Sequence, residues 1–455
     1  MNTTQPNNSL TEWVGHLPSD WKVDRLANLA EILFSNVDKH TFDEEEPVRL
    51  CNYVDVYNNA HITTAIDFME ASAVPREIEK FQLQPGDVLA TKDSETPDDI
   101  AISSLVVDEL PGVLCGYHLA LMRPRKHKLY GPYLAWLHTS KAFRAQYEAK
   151  AVGVTRWGLA QSTFRETRVP LPPLPEQERI AAYLDTSCVA IDAAVSAKRS
   201  QIETLDALRK ATIQRVVTRG ITEPVELEPT GNVWMESVPR GWGLVCLKRI
   251  SDIQGGLTLG KQYEGPLIER PYLRVANVQD GHLDLLDVSM IEVPAAVAAG
   301  VELRPDDVLM TEGGDLDKLG RGYLWNGEIE GCLHQNHIFA VRCFRHKLLP
   351  KFLTYVTAAK YGRDYFEATG KRTTNLASTN STKVGMFPIP LPIVSEQERL
   401  VAFLDTRLDQ LRNTQQVLES EIETLLAYRQ SLIHECVTGQ RRVTEADLKP
   451  IHVHA

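Results

Sequence analysis

From Leu184 to Val216, residues return in alternating steps of four and three. Leu184, Cys188, Ile191, Val195, Ile202, Leu205 and Val216 fall on one frame, with Lys198, Arg209 and Thr212 as its polar members. The same frame reappears as Leu404, Leu408, Leu411, Leu418, Ile422, Leu425, Leu432 and Cys436, interrupted by Gln415 and Arg429. Apolar residues at this spacing over several heptads predict two long helices with a coiled-coil seam. Polar residues in such a seam lower stability but fix register and orientation. At about 1.5 Å rise per residue, a helix of roughly 43 residues reaches on the order of 65 Å. Ser395-Glu396-Gln397-Glu398 has the form of a capping box for the second helix, and Pro175 suits the opening turn of the first. The proline-rich stretches Pro170–Pro175 and Pro388–Pro392 predict stiff extended leads into both helices.

The two helical segments are copies. Residues 170–186 read PLPPLPEQERIAAYLDT and residues 390–406 read PLPIVSEQERLVAFLDT, an offset of 390 − 170 = 220. At that offset Ile202-Glu203-Thr204-Leu205 recurs as Ile422-Glu423-Thr424-Leu425, and Val217-Thr218 as Val437-Thr438. A repeat this long means two similar units with two similar sites, held apart by whatever the repeated segment forms. The segments before each helix are related but diverged. His16-Leu17-Pro18-Ser19-Asp20-Trp21 answers to Ser237-Val238-Pro239-Arg240-Gly241-Trp242, and Leu83–Thr91 to Leu303–Thr311. Tyr117-His118-Leu119-Ala120 answers to Asn336-His337-Ile338-Phe339-Ala340. Short alternating stretches between glycine and proline turns predict small strands, and Tyr133–Tyr147 and Phe352–Phe366 predict helices. Each diverged segment is therefore expected to be a mixed α+β domain, with residues 221–236 linking the halves.

Composition narrows the class only slightly. A chain of 455 residues exceeds one core and suggests about three domains. No long apolar run stands out as a membrane span, and the N-terminal residues lack the basic and apolar regions of a signal peptide. Seven scattered cysteines without a Cys-x-x-Cys pair fit free thiols in a reducing cytoplasm. A net charge of −11 argues against a simple nucleic-acid binder without excluding one, because affinity depends on where Lys and Arg sit and partners add charge.

The order of two diverged segments alternating with two near-identical helical ones resembles the specificity subunit of type I restriction–modification enzymes. So do Pro-Leu-Pro-x-x-x-Glu-Gln-Glu-Arg at 170–179 and 390–399 and Gly-Gly-Leu-Thr-Leu-Gly-Lys-Gln-Tyr at 255–263. The resemblance spans about residues 16 to 440. It implies two mixed target-recognition domains, 1–169 and 237–389, and two long antiparallel coiled-coil spacer helices, 170–220 and 390–440. A 221–236 linker, a 441–455 tail and a pseudo-twofold repeat complete that plan. It further implies a subunit without catalysis that reads a split double-stranded DNA target, asymmetric here because the two recognition domains differ. The partners implied are two methyltransferase modification subunits carrying S-adenosylmethionine and two restriction subunits using ATP and Mg for translocation and cleavage. No cofactor in this chain and no membrane are expected.

Searches for chemistry in the chain itself return little. Gly255-x-x-x-x-Gly260-Lys261 approaches a phosphate loop, but Gln262 stands where Ser or Thr should hold magnesium, and Glu264-Gly265-Pro266 breaks any following helix. No Asn/Asp-Pro-Pro-aromatic tetrapeptide or Gly-x-Gly fingerprint is present. Pro305-Asp306 with Asp315–Lys318 hints at a nuclease, yet Lys318 is one place out of phase. His452 and His454 alone have ligand spacing, and for His118 and His337, at matching places beside apolar residues, a structural role is favoured over DNA contact. A specificity subunit of a fused restriction–methylation system, a self-contained nuclease or methyltransferase, and a coiled-coil scaffold remain as rivals.

Base edges are read by side chains, while Lys and Arg on phosphates supply position and affinity. Loops of the diverged segments rich in Gly, Arg, Lys and Thr are the candidates. In the first half these give Asn36, Lys39, Lys92, Ser94, Arg156 and Trp157. In the second they give Thr258, Lys261, Lys318, Arg321, Lys371 and Arg372. Arg156 and Lys371-Arg372 follow a glycine in stretches read as equivalent. No metal site is expected.

Overall fold

The computed structural model describes residues 17–223, 225–279, 281–314, 319–372 and 377–448. The chain forms two compact units, residues 1–198 with 420–455, and residues 199–419. Each unit takes part of both long helices, α1 (Leu174–Arg219) and α2 (Val394–Val437).

α1 starts where the sequence suggests: the amides of Glu176 and Gln177 donate to the Pro173 carbonyl at 2.8 and 3.1 Å. α2 starts earlier than its hydroxyl signal. The amides of Glu396 and Gln397 donate to the Ile393 carbonyl at 2.9 and 3.0 Å, so Ser395 lies inside the first turn and does not cap it.

In the first unit, Ile180, Leu184, Cys188, Ile191 and Val195 of α1 share a core with Leu432, Ile433, Cys436 and Val437 of α2. Asp192 pairs with Arg429 at 3.0 Å and Lys198 with Glu421 at 2.6 Å. Rising numbers on one helix meet falling numbers on the other, so the segments run antiparallel. In the second unit, Ile213, Val216 and Val217 pack with Leu400 and Leu404. There the polar frame residues turn to their own helices, Arg209 toward Asp206 at 3.6 Å and Gln415 toward Glu419 at 2.9 Å.

α1 contains a window long and apolar enough by composition to pass as a membrane span. The buried residues of its apolar stripe are those of the seam just described, packed in one core with α2.

The first unit's main sheet has the order Ala30–Phe34, Leu119–Pro124, Val88–Thr91, Ser103–Val106, His61–Ile62. Leu119 to Met122 are all buried because the sheet is covered on both faces. The period of two divides them. Val88, Ala90, Ala120 and Met122 enter the core shared with the helices, while Leu89, Leu119 and Leu121 enter a second core. That second core carries a three-stranded sheet, Met69–Ala73, Glu46–Cys51 and Val113–Cys115.

The second unit repeats the plan in a sheet ordered Ser251–Gly255, Ile338–Cys343, Val308–Thr311, Gly322–Leu324. Val308, Met310, Phe339 and Val341 face the helices, and Leu309, Ile338 and Ala340 face away.

Each predicted helix is two helices. Gly131–Thr139 and Lys141–Glu148 meet at extended Ser140, and Pro350–Ala358 and Lys360–Thr369 meet at extended Ala359. The first of each pair docks on a long helix: Trp136 Nε1 donates to Asp185 at 2.8 Å, and the Tyr355 hydroxyl donates to Asp405. The expected linker is partly structured, since Leu227–Asn232 and Met235–Pro239 form a hairpin whose Trp234 packs edge-on to Tyr365 at 5.4 Å.

Candidate nucleic-acid interface

At the end of each main sheet sits a small three-stranded sheet. In the first unit it joins Val152–Gly153, Trp157–Gly158 and Asp93–Ser94, and in the second Lys371–Arg372, Ala377–Ser378 and Gly313–Gly314. A Cβ on Gly153 would lie 2.0 Å from the Arg156 carbonyl oxygen, so the first hairpin closes only with glycine there. The registers correct one sequence equivalence. Lys371 faces Ser378 as Val152 faces Gly158, so the counterpart of Lys371 is Val152 and not Arg156.

Asn36 and Lys39 from one chosen stretch and Lys92 from another line one concavity of about 410 Å³ with Ser35, Asp38, His40 and Tyr117. An adjoining concavity of about 340 Å³ shares Lys39 and Tyr117 and adds Asn52, Tyr53, His118 and the acidic Asp55 and Asp67. Asn36 Nδ2 donates to Glu77, and Lys39 is exposed. The Lys92 ammonium lies 5.0 Å from the Phe34 ring centroid, and burial lowers its pKa from the ordinary lysine value.

Beside them, one carboxylate organises two bases. Asp93 accepts from Arg156 at 2.6 Å and bonds His118 Nδ1 at 2.7 Å. Arg156 is exposed beyond that anchor. Trp157 is half-buried against the helix-facing core. Ser94 is buried and its hydroxyl donates to the Thr96 carbonyl, so it holds the loop and does not face solvent.

The second unit keeps the arrangement with different side chains. The Glu312 amide donates to the His337 carbonyl at 2.8 Å, as the Lys92 amide does to the His118 carbonyl at 3.3 Å. Glu312 therefore stands where Lys92 stands, and its carboxylate bonds His337 Nδ1 at 2.6 Å. Thr258 and Lys261 are exposed on a loop turned at Gly260 (φ +81°), and no helix follows it before Glu269. Arg321 is half-buried where the Gly322–Leu324 strand begins. Lys371 is exposed and Arg372 is the next strand residue. Lys318, Asp315, His452 and His454 lie outside the described residues.

Of the carboxylates that hinted at a nuclease, Asp306 pairs with Arg345 at 2.5 Å, and Asp315 and Asp317 lie outside the described residues. Among the described residues, no group of three His, Cys, Asp or Glu is placed to hold a metal ion. All seven cysteines are unbridged.

Residues 18–204 match the family model described as "Type I restriction modification DNA specificity domain". The whole chain is 23% identical to the type I restriction enzyme EcoKI specificity subunit of Escherichia coli K12, covering 95% of this chain and 93% of that protein. Over nearly its whole length the chain is similar to type I restriction-enzyme specificity subunits. It is also 24% identical to the StySPI specificity subunit of Salmonella potsdam, over 95% and 93% of the two chains. Two solved structures share the fold. The HsdS subunit from Thermoanaerobacter tengcongensis superposes with a TM-score of 0.57 at 19% identity, covering 95% of this chain and 100% of that one. A chain from a study of complex assembly and conformational transition in the type I R-M system gives 0.71 at 19% identity, over 94% and 100%.

The sequence reading favoured a structural role for His118 and His337 over DNA contact, whereas both are partly exposed and bonded to Asp93 and Glu312. Their matched places in the two halves were a signal, but both sit beside strand residues that are fully buried, which hid their exposure.

Proposed function

We propose that the chain is the non-catalytic DNA sequence-recognition subunit of a cytoplasmic type I restriction–modification complex. The observation that carries this reading is one recognition topology, present twice, with different side chains at corresponding surface places: Lys92 against Glu312 and Val152 against Lys371. One scaffold with two sets of readers suits a split target whose halves differ. α1 and α2 would set the unread gap between the halves.

Lys39, Lys92, Arg156, Lys261 and Lys371 would grip phosphates or guanine edges, while neutral groups read base edges. With a net charge of −11, the chain needs positive charge from partners to hold DNA firmly. Two modification subunits would bring S-adenosylmethionine for adenine methylation, and two restriction subunits would bring ATP and Mg for translocation and cleavage. This chain's own residues bind, orient and select, and it holds no cofactor.

The test is single-molecule sequencing of N6-methyladenine in cells carrying the gene with its neighbouring methyltransferase gene, and in a deletion strain. A split asymmetric motif with a fixed gap, lost on deletion, is expected. A palindromic motif would overturn the asymmetric target. The absence of any gene-dependent motif, with a methyltransferase that copurifies and is active, would overturn the reading itself.

A further inference from the structure

We propose that His118 and His337 are base readers, each presenting its ring Nε2 as a hydrogen-bond acceptor to an exocyclic amino group, adenine N6 or cytosine N4, in the major groove. The inference rests on the reading of the chain as a specificity subunit and names side chains that give each unit its selectivity.

The buried His138 uses both ring nitrogens internally, whereas the buried His334 bonds only through Nδ1, to the Val301 carbonyl, and is closed off from solvent. The His138 Nδ1 lies 2.9 Å from the Leu134 carbonyl and its Nε2 3.1 Å from the Tyr147 hydroxyl, and it is 1% exposed. His118 and His337 differ. Their side chains are 28% and 51% exposed, and each makes one ring hydrogen bond, through Nδ1. Among the described residues, no hydrogen bond to either Nε2 is found.

In a neutral ring, a carboxylate that accepts from Nδ1–H leaves the lone pair on Nε2. The pair is built in two ways. Asp93 corresponds to Gly313 in strand register, whereas Glu312 corresponds to Lys92, so the carboxylate arrives from a different strand position in each unit. The arrangement is preserved although the residues that make it are not equivalent.

The carboxylate also decides what the histidine meets. A phosphate brought to either ring would lie close to Asp93 or Glu312 and be repelled. An amino group on a base edge is a neutral donor and suits an acceptor flanked by negative charge. In the first unit Arg156, anchored on the other Asp93 oxygen, supplies donors beside that acceptor. Donor and acceptor side by side match the major-groove edge of a base pair, which offers both kinds of group.

The experiment uses the complex assembled with its modification subunits, carrying His118→Ala, His118→Phe (which keeps ring volume beside Tyr117) or His337→Ala. Methylated motifs are read by sequencing. Each His118 variant is expected to relax one base pair in one half-site, and His337→Ala one base pair in the other. Duplexes with that amino group replaced by hydrogen, as nebularine for adenine or zebularine for cytosine, are then compared. Wild-type affinity should fall on the order of tenfold while the variant loses nothing further. An unchanged motif in all variants, a uniform loss of methylation with the motif retained, or equal weakening of wild type and variant by the analogues would each overturn the proposal. A wild-type complex with no split motif would instead remove the specificity-subunit reading on which it rests.

Discussion

Gln177 and Gln397, 397 − 177 = 220 residues apart, make the same three hydrogen bonds. Gln177 Nε2 donates to the Lys128 and Pro172 carbonyls at 3.1 and 2.9 Å, and its Oε1 accepts from the Tyr130 amide at 2.8 Å. Gln397 Nε2 donates to the Lys347 and Pro392 carbonyls at 2.7 and 2.8 Å, and its Oε1 accepts from the Leu349 amide at 2.8 Å. Both side chains are fully buried. Each locks the first turn of a long helix to its proline-rich lead and to the loop before a recognition-domain helix.

Gln177→Ala should therefore destabilise the first unit by roughly 3 kcal/mol, from lost bonds and orphaned backbone groups. Gln177→Glu should do comparable harm by facing a carboxylate toward two carbonyls. Urea unfolding with fluorescence measures both, and a loss of a few tenths would show the lock to be dispensable.

Asp87 and Asp307, which answer to each other in the matched stretches Leu83–Thr91 and Leu303–Thr311, form a second repeated lock. Arg123 Nε and a terminal nitrogen bond Asp87 at 2.9 and 2.8 Å, and that nitrogen also donates to the Gln82 carbonyl at 2.7 Å. Arg342, Asp307 and the Glu302 carbonyl repeat this in the second unit. Asp87→Ala leaves a half-buried guanidinium unpaired and should cost about 3–5 kcal/mol, while Asp87→Leu with Arg123→Met should recover much of it. Denaturation of the single and double variants decides.

His138 makes the first unit sensitive to acid. Burial pushes its pKa down from 6.5 to about 4. The unfolded chain therefore takes up a proton at higher pH than the folded one. The stability concerned is fully present above pH 6.5 and is lost as pH falls toward 4, on the order of 3 kcal/mol. His138→Phe should flatten this part of the melting temperature against pH curve.

Lys39 and Lys92 border one concavity without an acidic partner at ion-pair distance among the described residues. Alanine at either should weaken DNA binding by the assembled complex across sequences. It should also lower the slope of log affinity against log salt by about 1 if a phosphate is contacted. An unchanged slope would separate that lysine from the backbone.

Four residues added to one spacer helix add about 6 Å, near two base-pair steps of about 3.4 Å. The gap in the methylated motif should lengthen by about that amount. An unchanged gap in a folded, active complex would remove the helices as a ruler.

Much of this was open to a reader of the chain. The alternating steps of four and three placed both long helices, and the 220-residue offset paired the halves. Asn36, Lys39 and Lys92 were chosen from composition alone and line one concavity. Ser94 was chosen the same way and is buried, because burial depends on which loop covers it. Ser395 looked like a cap, yet the helix begins two residues earlier, at Val394 after Ile393.

What the sequence determined by itself is whatever repeats locally: helix period, strand alternation and the duplication, since each is written at fixed spacing along one stretch of chain. Tertiary structure decided which residues share a surface. His118 meets Asp93 from a distant strand, His337 meets Glu312 from a shifted position, and Lys371 corresponds to Val152 and not Arg156. Those relations follow from strand register, and a shift of one residue in register exchanges which side chain faces solvent.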